Sequence, residues 1–180
     1  MLKKILGGVA LALALFLGFV ATRPAHYRVE RGIAVGAPAD AVYAIVSDLR
    51  RWEDWSPWDK LDPSMRKELG GTPGAPGSTY RWSGNDKVGE GRMTLVEASA
   101  PTRVSYRLEF LKPFASVATT ELALAPEGTG TKVTWSMAGD LGFAEKLFTL
   151  FVDMNGAIGK DFDHGLATLK EVAERGGAAR

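Results

Sequence analysis

The chain contains no cysteine and only two histidines, His26 and His164. Without cysteine there are no disulfides and no thiolate metal ligands. Two histidines are too few for a histidine-rich centre, so neither a metal nor a cofactor is expected. An excess of one charge is missing as well. Lys3 and Lys4 are the only charges before Arg23, and the remainder carries 20 basic against 21 acidic residues. Nucleic acid would call for a basic face, so it is not expected as a partner. The glycine-rich stretches "GTPGAPG" (71–77) and "GTGTK" (128–132) lack the G-x-x-x-x-G-K-[ST] order that cradles phosphate. There is no internal repeat and no long low-complexity segment.

What is present begins with an uncharged run of seventeen residues, Ile5 to Ala21. At about 1.5 Å per residue it falls a little short of a ~30 Å hydrocarbon core, a gap that snorkelling flanks can close. Phe19 stands two positions before Ala21, where signal-peptide cleavage wants a small residue, and Pro24 follows closely. Residues 1–22 therefore read as an uncleaved membrane anchor, with a cleaved signal peptide as the alternative. Lys3 and Lys4 favour a cytoplasmic N-terminus and an extracytoplasmic, periplasmic domain. Residues 23–26 serve as linker, 27–175 as the folded domain, and 176–180 as a disordered tail.

Within the domain the hydrophobic period changes twice. "YRVERGIAVG" (27–36) alternates as a strand does. "APADAVYAIVSDL" (37–49) carries Val42, Ile45, Val46 and Leu49 at helical spacing behind Pro38. A second short helix is expected from Leu49 to Trp55, stopped by Ser56-Pro57. From Met65 to Ala138 six segments follow period two, broken at Asn85-Asp86, Ala100-Pro101, Lys112-Pro113 and "PEGTG", as in an antiparallel meander. From Phe143 the period is helical again, with Leu147, Phe151, Met154, Ile158, Phe162, Leu166 and Leu169 on one stripe. Gly156, Gly159 and Gly165 lie within that helix at a cost of ~1 kcal/mol each, which implies a packing or cavity reason.

This order, with three strings in it, resembles the START/polyketide-cyclase-like (SRPBCC) superfamily, polyketide cyclase/dehydratase-like branch. The strings are "IAVGAPADAVYAIVSDLRRWEDWSPW" (33–58), "TKVTWSM" (131–137) and "GKDFDHGLATLKEVAE" (159–174). The resemblance covers residues 27–175. It implies an α+β helix-grip fold, a seven-stranded antiparallel sheet wrapped around a long C-terminal helix, with two short helices after the first strand. It also implies a deep cavity between sheet and helix for a hydrophobic or lipid-like small molecule. Members include lipid carriers, aromatic-polyketide cyclases and co-chaperone-like proteins, so fold alone does not choose among them.

Alternation proposes the cavity lining: Tyr80, Trp82, Met93, Tyr106, Leu108, Phe110, Trp135 and Met137 from strands, and Phe151, Met154 and Ile158 from the helix. Methionines and aromatics suit an adaptable apolar pocket. "RRWEDWSPWDK" (50–60) sets Trp52, Trp55 and Trp58 among seven charged or polar residues, as a structural cluster, a pocket lip (Trp55) or an interfacial contact. No convergent acid–base set is evident. Asp161 and His164 share a helix face but do not make a site, and Tyr80 and Tyr106 are the only inward polar groups. Arg107 and Glu121 are expected as a cross-strand ion pair. The leading expectation is a membrane-anchored binding protein without catalytic residues. A cyclase/dehydratase-type enzyme and a chaperone-activator-like protein-binding module are the alternatives; the last would need an apolar outer sheet face, which Ser105, Arg107 and Glu109 oppose.

Overall fold

The structure is a computed structural model that describes residues 1–178. Helix α1 (Leu2–Ala21) is followed by strand β1 (His26–Val35), helix α2 (Ala39–Val46) and two 3₁₀ helices, Leu49–Asp54 and Trp58–Lys60. Strands β2 (Arg66–Gly70), β3 (Thr79–Ser83), β4 (Glu90–Ser99), β5 (Arg103–Lys112), β6 (Ser116–Glu127) and β7 (Gly130–Asp140) come next. Helices α3 (Phe143–Phe148) and α4 (Met154–Ala178) close the chain. The seven strands form one sheet in the order β1-β7-β6-β5-β4-β3-β2, and every neighbouring pair is antiparallel.

The expected fold is therefore the observed one. Short connections make β2 to β7 a meander, and β1 closes onto β7 with His26 opposite Asp140. The sheet's inner face meets α2 and the stripe of α4 formed by Phe162, Leu166, Leu169 and Ala173, all buried. Burying one face of a sheet against one stripe of a helix is what gives the layer arrangement its core. Asp48 caps the first 3₁₀ helix by accepting from the Arg50 backbone N–H at 3.0 Å.

Four local expectations need correction. The second short helix is 3₁₀, ending at Asp54. The long C-terminal helix is not continuous from Phe143: Thr149 to Asp153 are non-helical. Asp153 caps the new start, accepting from the Gly156 backbone N–H at 2.9 Å, which restarts the helix where the hydrophobic stripe alone would have carried it through. Arg107 lies opposite Thr119 rather than Glu121, and its guanidinium reaches Glu109 at 3.6 Å. The helix runs on to Ala178 through part of the expected tail, while residues 179 and 180 of that tail lie outside the described residues.

Helix α1 is long and apolar enough to cross a membrane, and only its Val20 is buried. Its end touches the domain at α3, where the Lys146 ammonium donates to the Ala21 carbonyl at 3.4 Å.

Candidate functional site

A cavity of about 280 Å³ opens between the two 3₁₀ helices and the β3–β4–β5 part of the sheet. Alternation along β3, β4 and β5 points Tyr80, Trp82, Met93, Leu108 and Phe110 into it, and Met137 closes it from β7. Trp52, Ser56, Trp58 and Asp59 form the opposite wall. The interior is lined by buried Trp52, Ser56, Met65, Tyr80, Met93 and Met137. The exposed Asp86 and Lys87 of the β3–β4 turn, Lys112 at the end of β5 and Pro113 after it mark the mouth.

Six of the expected lining residues thus come together: Tyr80, Trp82, Met93, Leu108, Phe110 and Met137. The other six do not reach the cavity. Trp55, Tyr106 and Trp135 are fully buried in the core. Ile158 packs against the core from α4. Phe151 and Met154 border a separate, open depression beside Tyr27, and Phe151 is 79% exposed because it sits in the break between α3 and α4. No residue of α4 lines the cavity, so it lies between the sheet and the 3₁₀ helices rather than between the sheet and the C-terminal helix.

The helix glycines have packing partners instead. A Cβ on Gly165 would stand 2.8 Å from the Trp135 ring, and Gly159 lies under the Arg31 guanidinium. Arg31 uses that room to donate to the Asn155 carbonyl and to its Oδ1, at 3.2 and 3.1 Å.

The three clustered tryptophans are a structural knot with one working edge. Trp52 meets Trp55 edge-on at 4.5 Å and stacks with Trp58 at 6.5 Å, and all three contact Trp135. Trp52 and Trp58 also form cavity wall, a role that the spacing of three did not single out. Trp135 donates its Nε1–H to Thr120 Oγ1 at 2.8 Å, and Thr120 donates to the Ser136 carbonyl at 2.8 Å, so this indole is satisfied within the core.

Away from the charged mouth at Asp86, Lys87 and Lys112, the cavity's polar contacts centre on Tyr80 and Asp59. The Tyr80 hydroxyl faces Asp59 Oδ1 at 3.5 Å, and Asp59 is paired with Lys67, which also reaches Glu53 at 2.8 Å. Burial, then the Asp59 and Glu53 charges, push the Tyr80 phenol well above the ordinary tyrosine range. Burial works against the Lys67 ammonium, but hydrogen bonds and charge from Asp59 and Glu53 hold it above the usual lysine value. The buried Ser56 hydroxyl has no hydrogen-bond partner among the described residues. Tyr106, by contrast, donates to the Val46 carbonyl and is a satisfied core tyrosine. The phenol, held protonated by burial, can donate to a polar group of a ligand, and the carboxylate of Asp59, paired with Lys67, can accept from one. Among the described residues no three His, Asp or Glu side chains are grouped to hold a metal.

Residues 26–174 match the family described as polyketide cyclase / dehydrase and lipid transport, and the chain belongs to that family. Comparison with curated protein sequences gives no match. Among solved structures, a protein from Thermobifida fusca is similar at 23% identity, over 82% of this chain and 93% of its own, with a TM-score of 0.61. The di-domain ARO/CYC BexL from the BE-7585A biosynthetic pathway is similar at 19% identity, over 86% of this chain and 52% of its own, with a TM-score of 0.58. The Aha1 dimer from Colwellia psychrerythraea is similar at 14% identity, over 82% and 96%, with a TM-score of 0.58. At these identities the likeness concerns the fold alone.

Proposed function

We propose that this protein is a membrane-held binding protein that carries a hydrophobic or lipid-like small molecule in the cavity beneath Trp52 and Trp58, without covalent chemistry. The observation that carries this reading is the cavity itself. Its walls are mostly aromatic rings and methionines, with Tyr80 facing Asp59, the unpartnered Ser56 hydroxyl in the lining and the charged Asp86, Lys87 and Lys112 at the mouth. Such a site suits an amphipathic ligand whose apolar body lies along Met93, Leu108 and Phe110 and whose hydroxyl or amide meets Ser56 and Asp59. A ligand carboxylate is disfavoured there, because Glu53 and Asp59 outnumber Lys67. Native mass spectrometry of the full chain purified in mild detergent tests the reading. A bound small molecule released by organic solvent supports it, and a chain with only its own mass and bulk phospholipid refutes it.

The cyclase reading is supported by the family description and rests on one residue of the cavity, Tyr80. Tyr80→Phe separates the two. Lost turnover of a bound polyketide with folding intact would favour the enzyme, whereas a binding protein keeps most of its ligand.

The apolar α1 supports residues 1–22 as an uncleaved anchor, with Lys3 and Lys4 on the cytoplasmic side and the domain outside. A linker of only Thr22 to Ala25 before β1 then keeps the domain at the headgroups. Carbonate washing of membranes, with protease added to spheroplasts, tests this. Release by carbonate, or an N-terminus near Thr22, refutes the anchor, and full protection from external protease reverses the orientation.

A further inference from the structure

One end of the sheet gathers what the other end lacks. Antiparallel pairing brings the β3–β4 turn beside the β5–β6 turn, with Glu90 opposite Lys112. It brings the start of β6 beside the end of β7, with Ala118 opposite Gly139, and the end of β7 beside the start of β1, with His26 opposite Asp140. Helix α1 enters at this same end, with four residues between it and β1, and α3 leaves it with two residues between β7 and its start.

The exposed apolar side chains are concentrated there. Of the nine exposed large hydrophobics after α1 among the described residues, six are Leu111, Phe114, Val117, Phe143, Phe148 and Phe151. Leu111, Phe114 and Val117 surround the β5–β6 turn; Phe143, Phe148 and Phe151 belong to α3 and the segment after it. Phe114 is 72% exposed and Phe151 79%, with Phe143 at 49% and Phe148 at 54%; a cluster of exposed aromatic side chains on one rim marks an interaction surface. The cavity mouth, between Lys87 and Lys112–Pro113, opens on the same rim.

We propose that this rim is a bilayer-docking surface. The β5–β6 turn and α3 insert their phenylalanines into the headgroup–acyl boundary, and the cavity mouth faces the membrane from which its ligand enters. The proposal deepens the carrier reading and rests on it. Continuity with α1 decides the occupant: from Ile5 to Ala21 α1 carries no charge, only its Val20 is covered, and it emerges among these side chains. Charge does not drive the docking. Arg23, Lys87, Lys112 and Lys146 stand against Asp86, Glu90, Asp140, Glu145 and Asp153 around the rim, and Lys112 and His26 are paired with Glu90 and Asp140. Docking should therefore need no anionic lipid and tolerate salt, as contact through buried apolar area does.

The absence of cysteine makes the test clean. Single-cysteine variants of the full chain, Phe114→Cys, Phe148→Cys and Phe151→Cys, carry an environment-sensitive fluorophore; Glu127→Cys, exposed at the end of β6 beside the β6–β7 turn and at the far end of the sheet, is the control. The labelled proteins are reconstituted into phosphatidylcholine vesicles, with and without lipids bearing a nitroxide high on the acyl chain. The expected result is roughly two-fold or greater quenching at positions 114, 148 and 151, unchanged by salt, and none at 127. Quenching at none of the three, in protein that resists carbonate, overturns the docking surface and leaves the anchor standing. Quenching in protein that carbonate releases sinks the anchor and leaves the surface. Unquenched labels that cross-link between copies assign the rim to a second copy of this chain and overturn the proposal.

Discussion

The rings of Trp135 and Phe162 lie stacked, 3.9 Å apart between centroids and 4° from parallel. This pair joins the centre of β7 to the first half of α4, and Trp55 and Trp58 of the 3₁₀ segment close around it. Neither ring lines the cavity. Phe162→Ala is expected to cost about 3–5 kcal/mol, read as a lower urea midpoint for the full chain in mild detergent. Phe162→Leu, which keeps most of the volume, should fold and retain ligand at the wild-type level. Loss of ligand in the folded leucine variant would contradict this separation of core from cavity.

Two glycines of α4 should respond differently to the same added methyl group. On Gly165 the Cβ meets the Trp135 ring at 2.8 Å and Pro57 Cδ at 3.2 Å, both held in place by the core. The gain in helix propensity, ~1 kcal/mol, is outweighed by overpacking of roughly 1–3 kcal/mol, so Gly165→Ala destabilises. On Gly159 the Cβ meets the end of the Arg31 side chain, which can swing aside. Gly159→Ala should be near neutral, losing the Arg31 hydrogen bonds to Asn155 but gaining propensity. Thermal melts of the two variants side by side check the order.

The pattern of apolar residues carried most of the fold. The seven strands stand where period two placed them, and α2 lies within 37–49 as helical spacing required. The break at Thr149 to Asp153 was hidden because Leu147, Phe151 and Met154 keep helical spacing while Asp153 restarts the helix through its side chain. The cavity was legible only by half. Alternation tells which face of a strand points inward, and so found Tyr80, Trp82, Met93, Leu108 and Phe110. It does not tell where along the inner face α4 fills the space and where a gap remains, so Tyr106 and Trp135 were grouped with true cavity wall. Ser56 and Asp59 were missed because a serine before proline and an acid in a charged run look like surface. A signal existed in the tryptophans flanking them, Trp55 and Trp58, which already demanded a buried neighbourhood.

Leu108 offers a direct way to close the cavity. It is half-buried and lies in the wall formed by β5, opposite the 3₁₀ helices. Leu108→Trp places added volume in open space rather than in the packed core, so it should fold with little change in the urea midpoint. Any co-purifying small molecule should fall at least ~10-fold in occupancy, since a filled pocket removes the apolar area that binds it. Native mass spectra of wild type and variant measure this. Unchanged occupancy would place the ligand elsewhere, with the open depression beside Phe151 as the next place to look.

Asp62 ties the two sides of the cavity rim together. Its carboxylate accepts from the Ser64 hydroxyl at 2.6 Å, from the Ser64 backbone N–H at 3.0 Å and from the Asn85 backbone N–H at 2.7 Å. It thereby fastens the segment after the second 3₁₀ helix to the β3–β4 turn. The Ser64 hydroxyl, followed by the Asn85 backbone N–H, holds the Asp62 carboxyl below its ordinary value of 3.8, against the opposing effect of burial. A group whose folded value is lowered stabilises the fold above the unfolded value and loses that contribution as pH falls through the folded one. The tie should therefore be intact at pH 5 and above (roughly one unit over the unfolded value) and weaken as pH drops below about 4. Amide exchange of the β3–β4 turn followed across that range measures it. The protection of Asn85 should fall with acid in the wild type. In Asp62→Asn it should be low already at pH 7 and nearly flat from there down, because an amide cannot titrate and its oxygen is a weaker acceptor. Equal acid sensitivity in the two proteins would assign the pH response to other carboxylates held low at the surface, such as Glu90 with Lys112 or Glu109 with Arg92.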